Sequence, residues 1–395
     1  ETLDITRSQK PQSLNQEFKL YFTLADDHIF SFEAQHLDQE ENPFSRAIRD
    51  RNPFTRLIPF SSSVNKYDVT QERLVHTAKL EAKLDYYYLL NDTSNINLSL
   101  GVTDVGQDFD SSFFQILDNG SLLNFNDPTF NNDVSFDFSD AYIALNYRLR
   151  TGIFTIDPGL TLHYYKTKNT QLGTSFERNI SDVRPNLRIN LQFKKSESLR
   201  LTYRKNTQFT DINNLAEGFV FSNYNSIFQG NRELEAAVVN NYNLNYRSIN
   251  QFTFTNIFAN ANYSKRSNSI QSRANINGID AIRTSTNSNF PRETYSLSGR
   301  IDKRFKNFKL NFSTRFNFSD FTNEVNNQIR NSKSLNQNYS ASIETNFRDK
   351  PNFEIGYKYN INDYNNGGIE NQFITESPFA RIDAYFGKGF VFTTE

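Results

Sequence analysis

Residues 183–193 read VRPNLRINLQF, and they alternate without a break. Val183, Pro185, Leu187, Ile189, Leu191 and Phe193 fall on one face. Arg184, Asn186, Arg188, Asn190 and Gln192 fall on the other. Successive side chains of a strand point to opposite faces, so this is a strand with one apolar and one very polar face. The connector KKSES follows, and Leu199, Leu201 and Tyr203 then alternate with Arg200, Thr202 and Arg204. The two runs predict an antiparallel hairpin. If Phe193 faces Leu199 across the connector, Arg188 stands opposite Arg204 and Gln192 opposite Arg200. Cross-strand neighbours are only about 5 Å apart, so opposed arginines repel. Carboxylates of a domain filling the interior, acidic residues of another strand, or an anionic solute are candidates to neutralise them; the plain alternative is a hydrated inner wall with scattered charges, which is ordinary in wide barrels.

The same unit recurs along the chain. Phe18, Leu20, Phe22 and Leu24 precede ADDH, and Phe30 and Phe32 return. Leu80, Leu84, Tyr86 and Tyr88 precede NDTSN, and Ile96, Leu98 and Leu100 return. Ile143, Leu145 and Tyr147 run into RTG before Phe154 and Ile156. Tyr242, Leu244 and Tyr246 precede RSINQ and Phe252. Phe308, Leu310 and Phe312 follow DKRFKN; Phe353 and Ile355 follow RDKPN; GKG links Phe386 to Phe390. About eight hairpins, or roughly 16 strands, are expected, each with a crossing of about 8 to 13 residues. A phase slip near Asn256, where the apolar set moves from Phe252 and Phe254 to Ile257 and Ala259, reads as a β-bulge.

The connectors are asymmetric: short within hairpins, long and polar between them. The long ones fall at about 37–72, 104–136, 166–180, 207–238, 264–292, 319–336 and 363–377. Short turns at one end and long loops at the other is the pattern of outer-membrane barrels. A soluble sandwich alternates too, but with shorter strands and no bias to alternate connections. No fixed-length repeat supports a solenoid or propeller. The expected fold is therefore all-β, a transmembrane antiparallel up-and-down β-barrel. Tyr and Phe gather at strand ends, as at Tyr86–Tyr88 and Tyr164–Tyr165, which suits interfacial girdles.

Composition fits once the faces are separated. The 395 residues carry 43 Lys plus Arg against 44 Asp plus Glu, 38 Phe, 20 Tyr and no Cys, Met or Trp. Asn is unusually common, at about 50 residues. Mean hydropathy is −0.66, and no run approaches the roughly 18 to 20 apolar residues of a membrane helix. The balanced charge gives no support for a nucleic-acid partner. Without Cys there is no disulfide, thiol nucleophile or thiolate metal ligand. The four His, at 28, 36, 76 and 163, make no metal-binding spacing, and His163 reads as a wall residue beside Thr161. Asp104, Asp108 and Asp110 crowd a segment expected to be an external loop. They lack the calcium-loop spacing, so a solvated acidic loop is expected. Asp38, Glu40 and Glu41 read as plain surface. No metal, cofactor or catalytic constellation is expected, and the chain does not read as an enzyme.

The stretch 203–246, YRKNTQFTDINNLAEGFVFSNYNSIFQGNRELEAAVVNNYNLNY, adds specificity. It resembles a landmark of TonB-dependent outer-membrane receptor barrels of the Bacteroidetes type. In that family a long loop closes on a Gly-Asn-Pro-x-Leu-x-Pro-Glu element before the next strand. Gly230, Asn231, Leu234 and Glu235 match in order, and Arg232 replaces the first Pro. Gly230-Asn231 is expected to be a turn pair able to take positive φ. Leu234 is expected to tuck the returning chain against the barrel mouth.

The resemblance implies a 22-stranded barrel with an N-terminal plug and an energy-coupling segment. Against that, residues 1–395 read as one barrel domain, the later part of a larger barrel whose plug lies outside this chain. The family implies the outer membrane of a Gram-negative bacterium and active import of a scarce solute: a metal chelate, glycan or peptide. Implied partners are outer-membrane lipid, a TonB-type energy-coupling protein and a surface lipoprotein. Arg184, Arg188, Arg200 and Arg204 are the candidate lumen contacts to plug or solute. The loops 207–238 and 264–292 are the candidates for capture. The alternatives are a passive 16-stranded porin, a secretion or assembly component, and an outer-membrane enzyme barrel.

Overall fold

Strand follows strand in one antiparallel meander in the computed structural model, which describes residues 3–52, 54, 57–125, 127–223, 225–278, 280–347, 350–386 and 390–394. The wall strands are β1 (Gln12–Ala25), β2 (His28–Glu41), β3 (Tyr67–Asn91), β4 (Ser94–Ile116), β5 (Asn132–Thr151), β6 (Phe154–Gln171), β7 (Thr174–Lys194) and β8 (Glu197–Gln208). They continue with β9 (Ala237–Asn250), β10 (Thr255–Ser267), β11 (Arg292–Phe305), β12 (Phe308–Val325), β13 (Gln328–Thr345), β14 (Asn352–Asn366), β15 (Ile369–Phe386) and β16 (Phe390–Thr394). Each pairs with its sequence neighbours, so the sixteen expected strands are present in up-and-down order. Among the described residues β1 pairs only with β2, and β16 only with β15.

The apolar positions share one face. Leu80, Leu84, Leu100, Val102, Ile143, Leu145, Leu160, Leu162 and Val183 are all exposed on it. Water would penalise such a face, whereas hydrocarbon accepts it. On β12 the outward set Phe308, Leu310, Phe312, Phe316 and Phe318 spans a crossing of the length a tilted membrane strand needs. One aromatic ladder marks an edge of this band: Tyr203, Tyr242, Tyr263, Tyr295 and Phe318 lie opposite one another on successive strands. Their ring centroids are 4.6–6.0 Å apart. Near the short-turn end, Phe30, Tyr86 and Tyr88 stack with one another or with His28. Only alternate residues of the aromatic runs take part. Tyr164 is exposed outside, while Tyr165 points inward and is buried.

Several expectations are corrected. The strands outrun the membrane: β3 has 25 residues, roughly 80 Å at about 3.3 Å per residue. Three expected long loops are continuous strand closed by tight turns, at Leu172-Gly173, Asn326-Asn327 and Gly367-Gly368. All six of these residues have positive φ, as a two-residue reversal requires; Gly and Asn take it at low cost, and Leu172 takes it at φ 51°. Above the bilayer both faces meet water, so alternation fades and strand resembles loop. For the same reason Asp104, Asp108 and Asp110 lie within β4, and Asp38, Glu40 and Glu41 within β2. The slip near Asn256 is a four-residue turn at 251–254, with Phe254 at φ 48°, and not a bulge. Bulges occur instead just before the turns at Thr23/Ala25, Leu89/Asn91 and Gln192/Lys194. The turn read at 387–389 lies outside the described residues, as does part of RDKPN.

Candidate functional site

The inner face changes character along its height. Near the long-loop end it is apolar: Val69 of β3, Phe109 and Phe113 of β4, and Val134 and Phe136 of β5 all point inward and are buried. What buries them is the loops. Phe60, Phe125, Phe130, Phe219, Phe221 and Ile227 pack with Phe113 and Val69 in one cluster. Ile212, Leu215, Val220 and Leu234 pack with Phe109, Val134 and Phe136 in a second. The loops therefore form a folded cap across the barrel mouth. Its strands include Phe219–Asn223, Ser226–Gln229, Ile270–Asn277 and Asp280–Asn287. Ser226–Gln229 runs parallel to Asp280–Asn287, which pairs with Ile270–Asn277. The phenylalanines of the 207–238 loop, read as capture residues, are thus largely committed to this core.

Inward amides of the wall hold the cap. Gln71 donates to the Phe219 carbonyl (2.8 Å) and accepts from the Phe221 N–H (2.7 Å). Gln115 accepts from Ser61 N–H (2.8 Å), Asn132 from Gly218 N–H (2.8 Å) and Gln171 from Glu217 N–H (3.0 Å). Gln171 also donates to the Leu215 carbonyl (2.9 Å). An amide carries both a donor and an acceptor, so it can complete the free edge of a strand where no further strand fits. Gln71→Leu strands one buried N–H and one buried C=O, at about 2–4 kcal/mol of local stability. Amide exchange at 219–221 is expected to quicken while the β3–β4 ladder keeps its protection; unchanged exchange would refute the clamp.

The loop landmark sits inside this cap. Gly230 N–H donates to the Ala216 carbonyl (2.7 Å), and Asn231 N–H to the Asn214 carbonyl (2.8 Å). Gly230 does not use positive φ. It is required by close approach, since a Cβ would lie 2.4 Å from the Ala216 carbonyl oxygen and 2.6 Å from that of Asn214. Asn231 accepts from Glu233 N–H (2.8 Å), and Leu234 is buried against the wall as expected. Glu235 N–H donates to Asn287, and its carboxylate lies 3.7 Å from Arg178. Arg232, in place of the Pro, forms an ion pair with Glu217 at 2.6 Å.

Lower down, the inner wall is polar. The hairpin register differs from the expected one: Leu199 faces Leu191, Arg200 faces Asn190, Thr202 faces Arg188 and Arg204 faces Asn186. The cause is a two-residue turn at 195–196 with a bulge at Phe193, in place of a five-residue connector. No arginine opposes another here. Acidic residues of the wall neutralise two of the four arginines, Arg184 and Arg188. Arg188 lies 3.8 Å from Asp157, which also holds Arg148 at 2.7 Å. Arg184 lies 3.1 Å from Asp182, over the Tyr165 ring. Arg184, Arg188 and Arg204 line one cavity of about 470 Å³; Arg200 lines another, of about 870 Å³. His163 hydrogen-bonds Asp140 at 2.9 Å and stacks on Tyr165, as a wall residue does. Among the described residues no group of three His, Cys, Asp or Glu is placed to hold a metal.

The Asn surplus is on this wall. Thr202, Asn243, Asn262, Ser296, Asn317, Asn336 and Asn362 form a continuous row across β8, β9, β10, β11, β12, β13 and β14. Sequence reasoning missed the cap and its clamps, because Gln71, Gln115 and Gln171 fall in segments that read as long loops, at 37–72, 104–136 and 166–180, whereas they lie on the wall strands.

Residues 23–391 match the family model described as the outer membrane protein beta-barrel family. No curated protein sequence matches the chain. Among solved structures, the ferric citrate transporter FecA is similar at a TM-score of 0.50 and 10% identity, covering 95% of this chain and 62% of that one. The hemophore receptor HasR of Serratia marcescens is similar at 0.45 and 11%, covering 95% and 71%. The ferric yersiniabactin uptake receptor FyuA of Yersinia pestis is similar at 0.47 and 12%, covering 98% and 59%. At such identities the likeness is one of fold. With its family match over most of its length, its lipid-facing band and its polar inner wall, the chain belongs to the outer membrane protein beta-barrel family and resides in the outer membrane of a Gram-negative bacterium.

Proposed function

We propose that this chain is the barrel wall of an active outer-membrane transporter that imports a scarce solute. The observation that supports this best is the cap. A passive pore needs an open mouth, whereas here two apolar clusters and a set of amide clamps fold the loops across it. Among the described residues β1 and β16 each pair on one side only, which supports a wall completed by further pairing, because unpaired backbone is costly in hydrocarbon. On this reading residues 1–395 are one domain of a larger receptor, with a plug, a TonB-type coupling protein and a surface lipoprotein as its partners. A metal chelate is the solute class named for the fold neighbour FecA, and it is our first choice here. The wall holds no proposed catalytic group.

The test is liposome swelling with the full-length protein and a small neutral sugar such as arabinose. The intact receptor is expected to show no free conductance. Rapid swelling would overturn the reading in favour of a porin.

A further inference from the structure

The larger cavity of the inner wall carries a charge pattern that the transport reading does not require. Two adjacent inward rows cross β8, β9, β10, β11, β12, β13 and β14. One runs from Ser198 through Arg247, Phe258 and Arg300 to Lys358; the other from Arg200 through Asn245 and Arg315 to Asn360. Five of their side chains are cationic and none is a carboxylate. The row above, with its five asparagines, is neutral. All five cations are exposed to a cavity of about 870 Å³. Arg300 is held by Asp302 at 2.9 Å, and Lys358 lies over the Phe379 ring. Among the described residues Arg200, Arg247 and Arg315 have no ion-pair partner. This contrasts with Arg184 and Arg188 on β7, the strand next to β8, each beside an aspartate.

The spacing is regular. Arg200 and Arg247 sit on neighbouring strands, then β10 carries no charge. Arg300 and Arg315 sit on the next two strands, then β13 carries none, and Lys358 follows on β14. Each uncharged strand separates flanking cations by two strand spacings, about 10 Å. Like charges held this close repel unless an anion bridges them. Guanidiniums offer paired N–H donors that fit carboxylate and phosphate oxygens, and the surrounding amides and hydroxyls can bond the groups between.

We infer that this wall is a binding site for a small polyanion, a solute bearing two or more carboxylate or phosphate groups about 10 Å apart. The inference rests on reading the lumen as a solute path, but its test measures binding and not transport.

Full-length receptor in detergent is titrated calorimetrically with trigalacturonate and with tripolyphosphate, and with neutral maltotriose as control. Binding of at least one polyanion, weakening as salt rises, is expected. Preference between the two separates carboxylate from phosphate recognition. Arg247→Gln and Arg315→Gln are each expected to weaken it at least about tenfold. Lys194→Gln, at an exposed turn, is expected to leave it unchanged. Absence of binding by both polyanions, equal binding of maltotriose, or equal loss in the Lys194 variant would overturn the site. Retained heat-modifiable gel migration shows that each variant is folded. A failure here with sealed liposomes would sink the anion site alone, whereas free swelling with intact anion binding would sink only the transporter reading.

Discussion

Phe113→Ala should release the cap and leave the wall standing. Phe113 is almost fully buried, and its ring contacts those of Phe60, Phe125, Phe130 and Phe221 at centroid distances of 5.6–6.4 Å. These four partners come from three different loops, so Phe113 is a wall residue on which all three meet. Removing a buried Phe costs about 3–5 kcal/mol, as lost transfer free energy plus the cavity left behind. The cost falls on the cap, because β4 keeps its ladders to β3 and β5. Limited proteolysis is therefore expected to cut within 117–131 and 209–225 in the variant but not in the parent. Heat-modifiable migration of the barrel is expected to persist. Loss of both together would mean that cap and wall are one cooperative unit, contrary to the layered reading.

The second large effect is Phe312→Lys. Phe312 is outward, exposed, and midway between Phe308 and Phe318 on β12. A lysine on the lipid face at the midplane costs about 2–4 kcal/mol, and the penalty fades toward the interfaces. Its neighbour Ser313 points the other way, into the basic cavity. Ser313→Lys should thus be tolerated by the bilayer. Denaturant unfolding of both variants in lipid vesicles measures the difference. Equal destabilisation would contradict the assignment of faces on which the whole reading depends.

How much of this could be read beforehand follows from where the physics is periodic. Within the bilayer one face meets lipid and the other water, so Leu80, Leu84, Leu100 and Val102 recur every second residue and betray their strands. Beyond Phe318 the outward positions of β12 are Asp320, Thr322 and Glu324. There the contrast vanishes, and strand was read as loop. The cap was illegible for a different reason. Its contacts join distant segments, such as Gln71 with Phe219 and Phe221. No local pattern records which amide meets which backbone. Alternation sets the four arginines on the face opposite the apolar positions of β7 and β8. Their register differs from the expected one because a two-residue turn and a bulge at Phe193 together shift every cross-strand partner. Leu234 was placed well, since a lone leucine between charged neighbours has few other uses.

The long reach of the cap contacts also sets a timetable for assembly. Each wall strand pairs with the one just made, so hairpins can add in succession with little loop-closure cost. The cap cannot begin until both of its ends exist. Arg7 reaches the Ser222 carbonyl at 2.8 Å, and Phe54 N–H reaches Asp280 at 3.2 Å, across more than 200 residues in each case. A newly inserted barrel must therefore pass through a stage with its wall formed and its mouth uncovered. Phe109, Phe113 and Phe136 would then line an open funnel. During biogenesis that sticky funnel is the species a chaperone or a quality-control protease would meet.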